Sequence, residues 1–101
     1  MLSAVVNNRL RSLGIRLKDA RLGRNESQKR FAARLGVSVP TCRKMEKGDP
    51  SVAVGTWAQA LWLLDRVEDL DKVLARTSLF EEWENRQQPK KRLRAGKREL
   101  R

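Results

Sequence analysis

Residues 27–48, SQKRFAARLGVSVPTCRKMEKG, decide how this chain folds. Over 28–35, Phe31, Ala32 and Leu35 fall at i, i+1 and i+4, the spacing of one helix face. Gly36-Val37-Ser38 interrupts that face. Gly36 takes positive φ at little steric cost and so turns the chain sharply. A second helical pattern follows over 39–47, with Cys42 and Met45 about one turn apart. Ser38 stands where a helix N-cap is wanted. Pro40 falls in the first turn, where its missing N–H costs little. Ala32 is small enough to let a second helix backbone come close.

Two short amphipathic helices around a glycine describe an ordinary helical hairpin. They also describe a helix-turn-helix, whose second helix enters a major groove. Charge separates the two readings. Lys29, Arg30 and Arg34 lie on the first helix and Arg43, Lys44 and Lys47 on the second, which favours a polyanionic partner.

The chain has 101 residues, 40% hydrophobic and 35% charged, which suits one small domain with polar extensions. Its net charge of +11 is unevenly placed. Residues 1–48 hold 12 Lys/Arg against 3 Asp/Glu, 49–85 hold 3 against 8, and 86–101 hold 8 against 1. A basic block, an acidic block and a basic tail imply separate jobs, with the acidic block turned from the polyanion. One cysteine and no histidine exclude a disulfide framework and the usual zinc sites, and remove the commonest general base. No glycine loop of the nucleotide-cradling kind and no nucleophile with a base is present, so no enzyme, metal or cofactor is expected. No apolar run approaches a membrane span or a signal-peptide core, which makes a cytoplasmic location the expectation.

Outward from the central stretch, residues 1–8 read as an extension. Leu10, Leu13, Leu17 and Ala20 then recur at helical spacing, with Gly14 as a weak point, and Gly23 and Asn25 mark the helix end. Ser27 caps the next helix. Asp49-Pro50-Ser51 is a turn after Gly48. A fourth helix is expected over 54–64, facing the core through Trp57, Ala60, Leu61 and Leu64. Trp62 and Leu63 fall on another side, either as a dimer contact or packed under a fifth helix. That fifth helix is expected over 65–75, with Val67, Leu70 and Leu74 as its stripe. The domain boundaries are therefore 1–8 for the extension, 9–76 for the domain, 77–85 for an apolar and acidic segment, and 86–101 for a basic, disordered tail. Leu79, Phe80 and Trp83 in the third segment either close the core or dock a partner.

Residues 10–74 resemble the phage-repressor-like (Cro/C1, or XRE) helix-turn-helix regulators, through Gln28, Ala32, Gly36, Ser38 and Met45-Glu46-Lys47-Gly48. The GDPSVAVGTW segment and the basic C-terminus resemble more narrowly the small HipB-type antitoxins, which are paired with a HipA-like kinase toxin. The resemblance implies an all-α, compact, five-helix lambda-repressor-like domain. It implies a homodimer on a palindromic double-stranded DNA operator, in a prokaryotic or phage-infected cytoplasm at the nucleoid. Carried over, Gln28 and Ser38 face phosphate. Val39, Pro40, Thr41, Arg43, Lys44 and Lys47 lie on or beside the DNA-reading face. Arg21 and Glu46 correspond to a buried ion pair between the first and third helices.

Two positions depart from the family. Glu26 stands where relatives hold an apolar residue that staples towards Phe31, which weakens the staple and adds an acid near the DNA face. Cys42 replaces a larger aliphatic and is expected in the core, with Arg43 and Lys44 as neighbours able to favour its thiolate. The functional expectation is an autoregulating repressor and antitoxin. The alternatives are a module that chiefly neutralises a toxin, or a stand-alone phage-type repressor.

Overall fold

The computed structural model describes residues 1–87, so most of the expected basic tail lies outside the described residues. Two compact units divide after Leu70.

The first unit holds α1 (Ala4–Gly23), α2 (Gln28–Leu35), α3 (Val39–Glu46) and α4 (Val54–Leu63). The described residues contain no strand. The chain is all-α with a helix-turn-helix at its centre. Helix α1 begins earlier than the apolar stripe suggested. Ser3 caps it by accepting from the Val6 N–H at 3.1 Å, which satisfies a backbone donor that the first turn leaves open. The helix then runs unbroken through Gly14. A Cβ there would sit 2.5 Å from the Glu46 carbonyl oxygen and 2.7 Å from the Gly48 nitrogen. One at Gly48 would strike the Leu10 carbonyl. Gly14 is therefore the point where α1 crosses the end of α3 backbone to backbone, and its low helix propensity is offset by that approach.

Each of α2 and α3 has a serine at its start and a left-handed glycine just past its end. Ser27 Oγ accepts from Arg30 N at 3.0 Å and Ser38 Oγ from Thr41 N at 3.2 Å. Gly36 takes φ 81° and Gly48 φ 77°. Val37 N–H reaches back to Ala32 O at 3.0 Å and Asp49 N–H to Lys44 O at 2.9 Å. These are the bonds of a Schellman motif, closing carbonyls that the last turn leaves unpaired. The turn after α3 is fixed by Asp49 Oδ1, which accepts from both Ser51 N and Ser51 Oγ.

Leu17, Phe31, Ala32, Leu35, Cys42, Met45, Ala60 and Leu64 form the core, with Ala20, Trp57 and Leu63 packed against it. Phe31, Met45 and Cys42 are sealed completely. Full burial of side chains the size of Phe31 and Met45 stabilises by about 1.5–3 kcal/mol each. Helix α3 lies against both α1 and α2, and α4 against α2.

The fifth helix expected over 65–75 is instead a 3₁₀ helix, Val67–Lys72. Asp65 and Leu74 both take φ 59°, breaking helical geometry at either side. Only Leu70 of the expected stripe is half-buried, while Leu74 is 99% exposed. The intervening Glu68, Asp69 and Asp71 leave too little apolar surface to hold an α-helix by packing. In the second unit, α5 (Ser78–Gln87) is a separate helix, with Arg76 paired to Glu84.

Candidate nucleic-acid interface

Helix α3 has two unlike faces. Cys42, Met45 and Glu46 are buried, while Pro40, Arg43 and Lys44 are exposed, and Lys47 continues that face past the helix end. Thr41 is half-buried, its hydroxyl 3.0 Å from Ser38 Oγ. Val39, expected as an exposed reading position, is half-buried and packs against the core. As the first residue of α3 it lies over the turn from α2, and only part of its side chain faces outward.

Beneath this face lies a network that joins three helices. Arg21 of α1 donates from Nε to Glu46 Oε2 at 2.6 Å and from Nη2 to Glu46 Oε1 at 3.1 Å. Its Nη1 donates to the Glu26 carbonyl at 2.7 Å. Gln28, at the first position of α2, donates from Nε2 to Glu46 Oε1 at 3.0 Å. The Gln28 amide thus bonds a carboxylate inside the protein, although the residue is half-exposed beside the reading helix. Burial alone would push the Glu46 carboxyl up. Hydrogen bonds from Arg21 and Gln28 outweigh it and hold the group below the ordinary glutamate value. Burial pushes the Cys42 thiol up, and the Glu46 carboxylate adds to this, with Sγ 3.9 Å from Oε2. The thiolate that Arg43 and Lys44 were expected to favour is therefore disfavoured. Cys42 is a small core residue rather than a reactive one.

Glu26 corrects a second expectation. It is not an exposed acid but is buried at the junction of α1 and α2. Oε2 accepts from Arg34 Nη1 at 2.5 Å and lies 3.7 Å from Arg30 Nε. Beside it lies an open surface depression of about 450 Å³ lined by Arg24, Asn25, Glu26, Arg30 and Arg34. Sequence reading counted these arginines as surface charge and missed the cluster. The signal was present as a glutamate at a stapling position, with arginines four and eight residues on.

Of the expected contact residues outside the motif, Trp62 is 60% exposed on α4. Leu63 is half-buried against the core, so the two do not form one exposed patch. Trp83 lies on α5 and is half-exposed, and Phe80 is on the same helix, its side chain outside the described residues. The described residues contain no group of His, Cys, Asp and Glu that could hold a metal, and no helix long and apolar enough to cross a membrane.

Residues 17–59 match a family model described as helix-turn-helix. No curated protein matches the chain. The matched span runs from the core of α1 through the two motif helices into α4, so this part of the chain is similar to the Cro/C1-type (XRE) helix-turn-helix DNA-binding regulators, with a basic exposed face on α3.

Proposed function

We propose that the chain is a sequence-specific transcriptional repressor that acts as a homodimer on a palindromic operator in the cytoplasm and controls its own gene. The observation that carries this reading is the two-faced α3, with cations outward and Cys42, Met45 and Glu46 inward. On it, Arg43 and Lys44 donate to guanine O6 and N7, and each good bidentate contact discriminates by about 1–3 kcal/mol. Pro40 and the outer part of Val39 touch thymine methyl groups. Ser38, Thr41, Lys47 and Gln28 lie at phosphates, where the α3 N-terminus adds its dipole. Arg21 and Glu46 hold the motif rather than touch DNA. Exposed Trp62 on α4 supplies the apolar part of the dimer contact. The test is binding to DNA from upstream of the gene beside a scrambled duplex at two salt concentrations. A preference that survives at the higher salt supports a repressor. Equal binding that vanishes with salt overturns specificity.

A second reading, the antitoxin of a type II toxin–antitoxin pair, draws on α5. There Leu79 is 72% exposed and Trp83 half-exposed, among Glu81 and Glu82. An apolar helix face rimmed by acids suits docking to a basic groove, such as one on a HipA-like kinase toxin. Alanine at Phe80 and Trp83 should then abolish toxin capture and spare operator binding. Capture that survives both changes removes α5 as the docking site.

A further inference from the structure

Val6, Leu10, Leu13, Leu17 and Ala20 recur along α1 at alternating spacings of four and three. That is the repeat of a helix that meets another helix along one seam. Only one end of the seam is covered. Leu17 lies in the core and Ala20 packs against it, whereas every residue of 1–9 is exposed. Between α1 and α4 the seam opens into a cleft of about 120 Å³, walled by Leu13, Leu17 and Ala20 on one side and by Trp57, Leu61 and Leu64 on the other. Arg16 lines the cleft, and Arg9, seven residues earlier, continues the same edge up the exposed turns of α1. Arg66 also lines it, paired with Asp69. Residues 1–18 hold Arg9, Arg11, Arg16 and Lys18 and no acid. Helix α1 meets α3 on another side, through Gly14 and Arg21, so the seam is not the surface that holds the motif.

We propose that this cleft receives α5 of a second copy of the chain, in a reciprocal exchange that makes a twofold dimer. Leu79 and Trp83 of α5 are four residues apart and so share one helix face, and both are exposed. Glu82 borders that face. The helix holds Glu81, Glu82 and Glu84 against Arg86 alone, which stands at the far end of the face. An apolar pair on an acidic helix fits an apolar cleft edged by Arg9 and Arg16, a helix-in-groove contact with opposite charge at its rim. A second α1 is a poorer occupant, because it brings the acid-free, cationic turns of two molecules together. Within the chain α5 belongs to a separate compact unit, the kind of element that protomers exchange at low cost. A ten-residue helix is about 15 Å long and makes a small contact by itself, and twofold symmetry supplies that contact twice.

The docking rests on the homodimer of the proposed function, and the experiment separates the two. Dimer dissociation of the full chain is measured by sedimentation at two salt concentrations for wild type, Arg16→Glu, Val6→Glu, Leu79→Glu and Trp62→Ala, with a melting curve for each. Arg16→Glu and Leu79→Glu should each raise the dissociation constant by about tenfold or more, and added salt should weaken the wild-type dimer. A mixture of variants decides the matter. Arg16→Glu spoils the cleft and keeps the helix, while Leu79→Glu spoils the helix and keeps the cleft. Mixed, they regain one docking of the two, so the mixture should dimerise more tightly than either variant alone. Should Arg16→Glu fail to fold, Val6→Glu, on the exposed turns of the seam, takes its place. Weakened variants whose mixture regains nothing overturn the exchange. A dimer that Arg16→Glu and Leu79→Glu leave unchanged and Trp62→Ala weakens overturns the docking and leaves the homodimer standing. A dimer that tightens as salt rises overturns it in favour of paired α1 helices. A wild type that stays monomeric at every concentration overturns both, and a lower melting temperature of Leu79→Glu in that monomer assigns the cleft to α5 of the same chain.

Discussion

Glu26 and Glu46 are buried alike, 7% and 8% exposed, and Arg21 touches both residues. Their surroundings differ. Glu46 receives donors on both oxygens, from Arg21 twice and from Gln28. Glu26 receives a close donor on one oxygen only, from an arginine about two-fifths exposed. A buried carboxylate is tolerable when each lone pair is answered and the partners are fixed. By that measure the α1–α3 corner is built to hold the motif rigid. The corner at the start of α2 is built less tightly, with its cations turned towards solvent.

The largest effect is expected at the tighter corner. Glu46→Ala strands the Arg21 guanidinium and frees the Gln28 amide, and breaking one partner of a buried pair costs about 3–5 kcal/mol. Denaturant melts should show that loss. A change under about 1 kcal/mol would mean that water replaces the carboxylate and the contrast between the corners is false. Acid titration sharpens the same point. The Glu46 carboxyl is held below the ordinary glutamate value by the Arg21 and Gln28 donors, against the effect of burial. A depressed carboxyl contributes stability that is full above the unfolded-state value and is lost as pH falls through the lower folded value. Thermal stability should therefore fall below about pH 4, and Glu46→Gln should flatten that acid limb.

Next in size is Gly14→Ala. By propensity alone alanine should stabilise α1 by about 1 kcal/mol. The new Cβ would meet the Glu46 carbonyl, a backbone atom that cannot swing away. Overpacking of this kind costs about 1–3 kcal/mol, so a fall in melting temperature is expected. A rise would show that α1 slides on α3 freely and that the tight corner is not tight.

How much of this was legible beforehand follows from which signals are local. The caps at Ser27 and Ser38, the left-handed Gly36 and the core trio Phe31, Ala32 and Leu35 depend on neighbours within a turn, and spacing exposes them. The fold class followed from these, and it is the class that the structure has. Gly14 was read as a weak point because propensity is local, whereas its packing against Gly48 spans 34 positions of chain. The helix drawn over 65–75 failed for a related reason. Val67, Leu70 and Leu74 have helical spacing, but nothing within the segment shows that Leu74 finds no core to meet. Glu26 was seen as a departure, yet the depth at which it is buried depends on how α1 enters α2. Val39 was set outside by the family resemblance, and its packing against the core depends on contacts that a motif position does not show.

The looser corner gives the smaller and more revealing changes. Arg34→Ala removes the close donor to a buried carboxylate, and an unsatisfied polar group of this kind costs about 1–3 kcal/mol, with the lower end expected because Arg34 is partly exposed. In a Glu26→Leu background the same change should cost almost nothing, since no charge remains to be left unpaired. The coupling between the two is what a double-mutant cycle reads. Glu26→Leu alone restores an apolar staple towards Phe31 and removes an orphan oxygen. It should stabilise the fold by roughly 0.5–1 kcal/mol, visible as a small rise in melting temperature. Stability gained at residue 26 and lost at residue 46, by deleting the same chemical group, is the outcome that separates a carboxylate the fold tolerates from one that holds it together. Equal losses at both sites would mean that Arg34 satisfies Glu26 as fully as Arg21 satisfies Glu46, and the orphan oxygen would then have no energetic consequence.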